Sequence, residues 1–389
     1  MKLLGTRPAR RREHGQTLVL FVLALGLAII PGTALLLEAG NAYAHQRVAQ
    51  NAADSLANAG ATVLAERLGG AVRLDADVAT AMERMRVSNA MDTYTAVYTN
   101  VTGDPVAADG TVTTDPNLYV HVGVGPIPAG AQGVRVTGKQ AFGTTIAAAI
   151  GFNSFTASAD ATAVAGALTG GQFLPVVIPV STYNCDGSGT LASDYDKWGM
   201  SNPPLIGVPE HPTGQEYIVP LCKTSTHNGG SGSFMFLDLD PTKTCYEEVI
   251  NPSSVQFNKF PVDVPSDVGA DCQKKVSDAI IDGHLQGKVI LIPICDASCS
   301  TQGGSNATYH IIRIAAFYLD YMAPSNGNAN NPDCALTTSP TYGTSLVNIV
   351  GGNGSSACIA GWFVRYVTSG PVGSGNINNG EAIGIQLIR

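Results

Sequence analysis

The residues that most resemble a metal-binding motif follow an apolar run late in the chain. Asp296, Ser298 and Ser300 stand directly after residues 289–294, and together they offer one carboxylate and two hydroxyl oxygens. Oxygen ligands of this kind suit magnesium or calcium. Two cysteines bracket the motif, and disulfides at these positions would constrain it. We therefore interpret the segment as a cystine-bearing loop and predict no metal site.

Acidic residues also cluster at Asp238, Asp240 and 247–248. Because Asp240 precedes a proline, which favours a turn, we interpret the group as part of a solvated surface turn. A serine hydrolase would instead need a serine in a strained turn, with a histidine and an acid as partners. Residues 230–233, Gly-Ser-Gly-Ser, lack the spacing of such a turn and are typical of a flexible loop.

The remaining candidates for catalysis have the wrong spacing. No two histidines show the His-Glu-x-x-His arrangement of a zinc protease, and no phosphate loop or dinucleotide fingerprint occurs. Cys295 and Cys299 are separated by three residues, whereas a thioredoxin-like motif has two. The sequence therefore predicts no catalytic, cofactor-binding or metal-binding residue, and a protein that is not an enzyme. The histidines are His14, His45, His121, His211, His227, His284 and His310.

All eight cysteines lie after residue 180. Their number is even, and their spacing lacks the short paired gaps of a zinc site. In an oxidising compartment this pattern predicts up to four disulfides, with a pairing that the sequence leaves open. They are Cys185, Cys222, Cys245, Cys272, Cys295, Cys299, Cys334 and Cys358.

The charges are distributed unevenly along the chain, whose formal net charge is -8. Five basic residues and one acid precede residue 38, so the acidic excess lies in the remainder. Such an acidic region does not favour phosphate contacts, and we predict no binding to nucleic acid. Only 13% of the residues are charged and 44 are glycine, a composition common in exported β-rich proteins.

An uncharged apolar segment follows the basic N-terminus. Residues 17–37 contain no Asp, Glu, Lys or Arg, and as a helix they would span about 31 Å, close to the hydrocarbon thickness of a bilayer. The positive-inside rule places the N-terminus in the cytoplasm and everything after Glu38 outside. We therefore predict a basic cytoplasmic tail at 1–15 and a single transmembrane helix at 16–37.

A cleaved signal peptide is the alternative interpretation of the N-terminus. Residues 42–44, Ala-Tyr-Ala, offer a small-x-small cleavage site after a basic region. The apolar segment is, however, longer than the usual h-region of about 7–15 residues, and the helical pattern continues past Ala44. Either interpretation exports the rest of the chain, so the disulfide prediction holds for both.

The helical pattern continues from Glu38 to Leu68 and ends at Gly69 and Gly70. One stripe along it consists mostly of small residues, which let another element approach closely. Two alternatives remain open, and both can hold at different depths: the stripe packs against helices of partner membrane proteins, or against the protein's own sheet. A second, amphipathic helix is predicted at 74–85. The stripe comprises Ala49, Ala52, Ala53, Leu56, Ala57, Gly60 and Leu64.

Alternating apolar residues predict strands from about residue 96 onward. We therefore predict an α+β fold, in which the long helix and a small antiparallel sheet occupy 38–168. A β-rich extracytoplasmic domain at 169–389 contains all eight cysteines. The predicted strands include Leu118–Val124, Val134–Thr137, Phe155–Ala163, Phe173–Val180, Tyr217–Leu221, Phe234–Leu239, Lys288–Ile294, Tyr309–Leu319 and Gly361–Val367, with a short apolar helix at Thr144–Ile150.

Three segments in the N-terminal part of the chain form a recognisable pattern: Gly15–Thr17 leading into the apolar run, Glu38–Tyr43, and Gln50–Ala61 with its Ala-Ala-Asp box. They resemble the TadE/TadG-like class of the tight-adherence (Flp) pilus system. The segments Val134–Thr137 and Ala157–Ala161 are also similar to this class. The resemblance extends over residues 10–167 and implies that the α+β region at 38–168 is pilin-like.

The resemblance implies a bacterial cell-envelope protein that acts in pilus assembly or surface adhesion. It also implies the lipid bilayer and other pilus-assembly or pilin-like membrane proteins as partners, the latter through the small-residue helix face. Pilins of this system are cut after a Gly five residues before a Glu, but Leu20 follows Gly15 at that distance, so we expect the anchor to be retained. The alternatives are an anchored extracytoplasmic hydrolase and a secreted binding module released by signal peptidase.

Overall fold

A computed structural model of the chain shows a mixed α+β fold with a β-rich second half. It describes residues 14–179, 216–221, 236–257, 259–267, 272–300, 308–324, 331–348, 357–364, 366–373 and 382–388. The helices are α1 (His14–Leu68), α2 (Asp75–Ser88), α3 (Cys245–Ile250) and α4 (Cys272–Asp282). The strands are β1 (Thr93–Thr99), β2 (Gly133–Gly143), β3 (Ser154–Leu168), β4 (Gly170–Gly171), β5 (Ile178–Pro179), β6 (Glu216–Pro220), β7 (Val255–Gln256), β8 (Val262–Pro265), β9 (Lys288–Ser300), β10 (Thr308–Ala323), β11 (Leu346–Asn348), β12 (Cys358–Phe363), β13 (Tyr366–Ser369), β14 (Val372–Gly373) and β15 (Ala382–Ile388). These elements confirm the predicted α+β class and its β-rich second half.

Helix α1 is continuous through the apolar segment and the predicted helix that follows it. It ends where the sequence predicts, because Gly70 adopts a positive φ of 89° that ordinary residues rarely adopt. Helix α2 confirms the predicted amphipathic helix, and its buried Val78 and Met82 belong to the same core as the second half of α1.

The first sheet has the strand order β1-β2-β3-β15-β13, with β14 also paired to β3. The pairs β1–β2, β2–β3 and β3–β15 are antiparallel, whereas β13 and β15 are parallel. Three of its strands therefore come from the end of the chain, and the sheet is mixed rather than purely antiparallel. The long middle part of the second half is inserted between β3 and β13.

Two predicted elements of the first half differ from the structure. Leu118–Val124 is not a regular strand: a 3₁₀ turn occupies Pro116–Leu118, and pairing with β1 is reduced to an isolated bridge between Val97 and His121. Of the helix predicted at Thr144–Ile150, only a 3₁₀ turn at Ala147–Ile150 is formed. That segment is the tip of the β2–β3 hairpin, which is too short for several α-helical turns.

The second sheet has the order β11-β6-β12-β10-β9-β5, and β8 also pairs with β10. Strands β6 and β10 confirm their predictions, while β9 extends beyond its predicted end to Ser300. The strand predicted at Gly361–Val367 is divided into β12 and β13, which belong to different sheets. Helix α4 was not predicted, and it buries Val276, Ala279 and Ile280 against the sheet.

Two disulfides lie in the described part of the second half. Cys245–Cys272 joins α3 to α4, and Cys334–Cys358 joins a 3₁₀ turn to β12. Cys295 is also disulfide-bonded, and none of the cysteines that the structure describes is free. The prediction of a disulfide-bearing second half is confirmed for these residues.

Candidate functional site

Near the start of α1, a run of consecutive apolar side chains is exposed on all sides of the helix. The six consecutive residues from Leu18 to Leu23 are each more than half exposed, and at about 100° per residue they cover all sides of the helix. Leu36 and Leu37 near the end of the apolar segment are exposed as well. Within the part of the chain whose side chains are described, no helix has the length and apolarity needed to cross a membrane.

The second half of α1 is packed against the protein itself. The small-residue stripe from Ala49 to Leu64 is buried, and it shares one core with β2, β3 and α2. At Gly60 an added Cβ would lie 2.9 Å from Val134 Cγ2, so the strand approaches as closely as a glycine permits. Of the two alternatives, packing against the protein's own sheet is therefore correct. The prediction that this face binds partner helices is wrong, because no part of the stripe remains accessible.

Glu38 marks the junction between the two halves of α1. It is the first charged residue after the apolar segment, and its Oε2 atom accepts hydrogen bonds from the backbone amides of Thr145 and Ile146 at 3.3 and 3.2 Å. One helical turn later, Asn41 Nδ2 donates to the carbonyl of Gly143 at 3.3 Å. These bonds attach the tip of the β2–β3 hairpin to the helix at the level where the apolar segment ends.

Two carboxyl side chains meet inside the second sheet. Glu216 at the start of β6 and Asp320 of β10 are almost completely buried, and they are hydrogen-bonded to each other. Asp320 lies at a β-bulge, where the pairing of β10 with β12 shifts by one residue. Burial, together with the neighbouring Asp320, raises the pKa of Glu216 well above its ordinary value. The folded protein therefore favours the protonated form of the Glu216 carboxyl more than an exposed site would.

Hydroxyl groups complete the surroundings of this pair. Thr344 Oγ1 donates to Glu216 Oε2, and Ser339 Oγ donates to Asp320 Oδ2 at 2.8 Å. A cleft of about 410 Å³ opens beside Asp320, with His284 and Tyr342 in its wall. Because both carboxyl groups are nearly inaccessible and one oxygen of each accepts a hydroxyl of residues 339–344, we assign the pair a structural role in joining β6, β10 and residues 339–344.

The acidic group at Asp238, Asp240 and 247–248 is only partly solvated. The predicted turn exists, since the amide of Lys243 donates to the carbonyl of Asp240 at 2.9 Å. Glu248, however, is only 3% exposed, and its Oε1 atom accepts the amides of Leu239 and Asp240 at 2.7 Å each. Burial raises the pKa of Glu248 to about 7. The solvated interpretation is therefore wrong for Glu248, which lies on the same inward face of α3 as Cys245.

One grouping of metal-binding atom types occurs among the described residues. The sulfurs of Cys245 and Cys272 and a carboxylate oxygen of Asp267 lie within 4.8 Å of one another. Both sulfurs belong to the disulfide between α3 and α4. A metal would require thiolates at these positions, so the grouping is not a metal site while the disulfide is present.

The comparison with known protein families gives a match that lies within α1. Residues 15–63 match the family model of putative Flp pilus-assembly TadE/G-like proteins. The N-terminal segment is thus similar to TadE/G-like proteins. The match begins at the start of α1 and includes the exposed apolar half, Glu38 and most of the buried stripe. Neither the curated proteins nor the solved structures contain a match to this chain.

The other sites considered in the sequence lie outside this TadE/G-like segment. Asp296, Ser298 and Ser300 belong to β9, whose backbone continues extended to Ser300 opposite Tyr309, and their side chains are not among those described. Residues 230–233 lie outside the described residues altogether. The Glu216–Asp320 pair was missed, because the sequence gives no local signal for a contact between residues so far apart in the chain.

Proposed function

We propose that this protein is a membrane-anchored cell-envelope protein that acts in Flp/Tad-type pilus assembly or surface adhesion through a structural, non-catalytic role. The observation that carries the proposal is the coincidence of the TadE/G-like match with α1. Within that one helix, apolar side chains exposed on all sides give way to a face buried in a folded domain. A helix of this kind attaches a domain to a bilayer.

The anchor follows from the energetics of the apolar half of α1. Apolar surface left in water is unfavourable by about 25 cal/mol per Å², and a bilayer removes this penalty for every face of the helix at once. The basic residues that precede the segment keep the N-terminus in the cytoplasm. The remainder is then extracytoplasmic, where disulfides such as Cys334–Cys358 persist.

Partner proteins meet α1 on the side that the sheet leaves free. Tyr43 and Val48 follow the junction at Glu38 and are 68% and 45% exposed. Both are apolar or aromatic, and both lie in the TadE/G-like segment. Other pilus-assembly or pilin-like subunits therefore contact the exposed flanks of the helix at Tyr43 and Val48 instead of the small-residue stripe.

Photo-cross-linking in native membranes tests this role. A photoreactive residue at Tyr43 or Val48 should capture subunits of the pilus-assembly platform or pilins, which mass spectrometry identifies. The same residue at Val124 is the control, because that side chain is 79% exposed and the preceding Gly123 is hydrogen-bonded to Asp75 of α2 and not to the junction at Glu38. If Tyr43 and Val48 capture no pilus protein beyond those captured at Val124, the assembly role is wrong and a free-standing adhesin is favoured.

A further inference from the structure

The β2–β3 hairpin runs alongside α1 toward the apolar half of the helix. Val134 near the start of β2 lies beside Gly60, whereas Gly143 at its end is hydrogen-bonded to Asn41. From Gly60 back to Asn41 the helix covers about 28 Å, and from Val134 to Gly143 the strand covers about 30 Å. The hairpin and the helix therefore run side by side over nearly equal lengths, and the hairpin tip lies toward the apolar half of α1.

The hairpin tip, residues 144–155, is held at the depth of Glu38. The amides of Thr145 and Ile146 donate to the Glu38 carboxylate and attach the tip to α1. Further hydrogen bonds join residues of the tip to one another. There Thr144 Oγ1 donates to the carbonyl of Phe152, and the amide of Phe152 donates to the carbonyl of Ala147 at 3.0 Å. Its position along the helix is therefore defined by several bonds, directly beside the end of the apolar segment.

Apolar and aromatic side chains of the tip face outward. Phe152 and Phe155 are 58% and 41% exposed, Ile146 is exposed too, and the two phenyl rings stack at 6.4 Å. Phe155 also packs edge-to-face on the buried Phe142 at 6.2 Å, so the exposed rings are supported from the core. Residues 140–159 contain no Asp, Glu, Lys or Arg. An uncharged loop with exposed rings is poorly suited to water and well suited to a membrane interface.

We propose that the hairpin tip is a second membrane contact, which inserts Ile146, Phe152 and Phe155 into the interfacial layer of the bilayer that α1 crosses. The occupant of this surface is lipid, because the tip is hydrogen-bonded to Glu38, directly after Leu36 and Leu37, whose exposed apolar side chains end the proposed anchor. This inference rests on the proposed anchor, which sets the position of the bilayer. Two contacts with one membrane fix the tilt of α1 and of the sheet packed on it. A single helix would leave this tilt free.

Tryptophan fluorescence of the full-length protein in phosphatidylcholine vesicles tests the proposal. Phe152→Trp places a reporter on the tip, and Val124→Trp places one at an exposed apolar position away from Glu38. The emission added by Phe152→Trp over the wild-type background should shift to shorter wavelength. It should also be quenched by lipids that carry a doxyl group near the top of the acyl chain. The emission added by Val124→Trp should show neither effect.

A third variant, Leu25→Trp, separates failure of this inference from failure of the anchor. If Leu25→Trp is quenched by doxyl lipids and Phe152→Trp is not, the anchor stands and the hairpin contact is wrong. If neither is quenched, the anchor itself is wrong and the inference falls with it. Quenching of Leu25→Trp and Phe152→Trp, but not of Val124→Trp, is the result that the proposal requires.

Discussion

Ala165 of β3 lies opposite Ile385 of β15, so the last strand of the chain completes the sheet on which α1 packs. The contact extends to the helix, because Ala65 of α1, Ala165 and Ile383 form one buried cluster. The sheet that packs on α1 therefore combines strands from both halves of the chain. The rest of the second half is an insertion between two strands of one sheet.

Removing residues 382–389 should destabilise the packing of α1 on its sheet, although α1 lies more than 300 residues earlier in the chain. Loss of β15 exposes Ala165 and leaves the edge of β3 unpaired over six residue pairs. Limited proteolysis of the purified full chain in detergent should then cut within 38–68 faster than in the intact protein. Deletion of Arg389 alone is the control and should change nothing. Equal resistance of both forms would show that β15 is dispensable.

Two glycines of α1 should respond in opposite directions to alanine. At Gly60 an added Cβ lies 2.9 Å from Val134 Cγ2 and 3.2 Å from Met82 Sδ, so Gly60→Ala should lower the free energy of unfolding by about 1–3 kcal/mol. At Gly40 nothing lies within 4 Å of the added atom, and Gly40→Ala should raise it by about 0.5–1 kcal/mol. Thermal denaturation of the two variants in the same detergent measures both. A stable Gly60→Ala protein would contradict the burial of the stripe.

Glu248 should make stability depend on pH in the direction opposite to an ordinary surface carboxylate. Its pKa rises from 4.5 to about 7 on folding, so the folded state binds the proton more tightly. The unfolding free energy should fall as pH rises from about 4.5 to about 7, with a slope of at most about 1.4 kcal/mol per pH unit. Glu248→Gln should remove this contribution, which denaturant unfolding at several pH values detects.

The neighbouring Glu247 is the control for that titration. It is exposed, and hydrogen bonds from Thr244 lower its pKa, so its stabilising contribution is lost as pH falls instead of as pH rises. Glu247→Gln should therefore leave the decline between pH 4.5 and 7 intact. If Glu248→Gln and Glu247→Gln have the same pH profile as the wild type, the Glu248 carboxyl is not buried as described.

The disulfides should be present in the protein isolated from cells. Non-reducing peptide mapping should recover Cys334 linked to Cys358 and Cys245 linked to Cys272. Replacing Cys334 and Cys358 together by serine should lower the free energy of unfolding by about 2–4 kcal/mol, because the unfolded chain gains freedom. Recovery of these four cysteines as alkylatable thiols would contradict an extracytoplasmic location.

The sequence predicted the elements whose pattern is local. The helix boundary at Gly69 and Gly70 follows from glycine's access to positive φ, and the strands β6 and β10 follow from apolar runs between turn residues. The segment at Leu118–Val124 also alternates, but its neighbours allow only isolated bridges. An alternating pattern therefore indicates which side chains face inward, not whether a ladder of hydrogen bonds forms.

Relationships between distant segments could not be predicted in the same way. The stripe on α1 is compatible with a partner helix or a sheet, and only the approach of Val134 to Gly60 decides between them. The pairing of β15 with β3 and the contact between Glu216 and Asp320 depend on the tertiary arrangement. Likewise, the exposed rings of Phe152 and Phe155 support a membrane contact only because the hydrogen bonds to Glu38 place them beside the end of the apolar segment.

Protease accessibility in spheroplasts tests the central claim most directly. For this test, one epitope tag is added before Met1 and another after Arg389. Intact spheroplasts that express the tagged protein are treated with protease before immunoblotting. A single anchor at α1 predicts that the C-terminal tag is digested while the N-terminal tag survives on a fragment slightly longer than the apolar segment. Survival of the C-terminal tag until the membrane is permeabilised, or recovery of the protein in the soluble fraction, would contradict it.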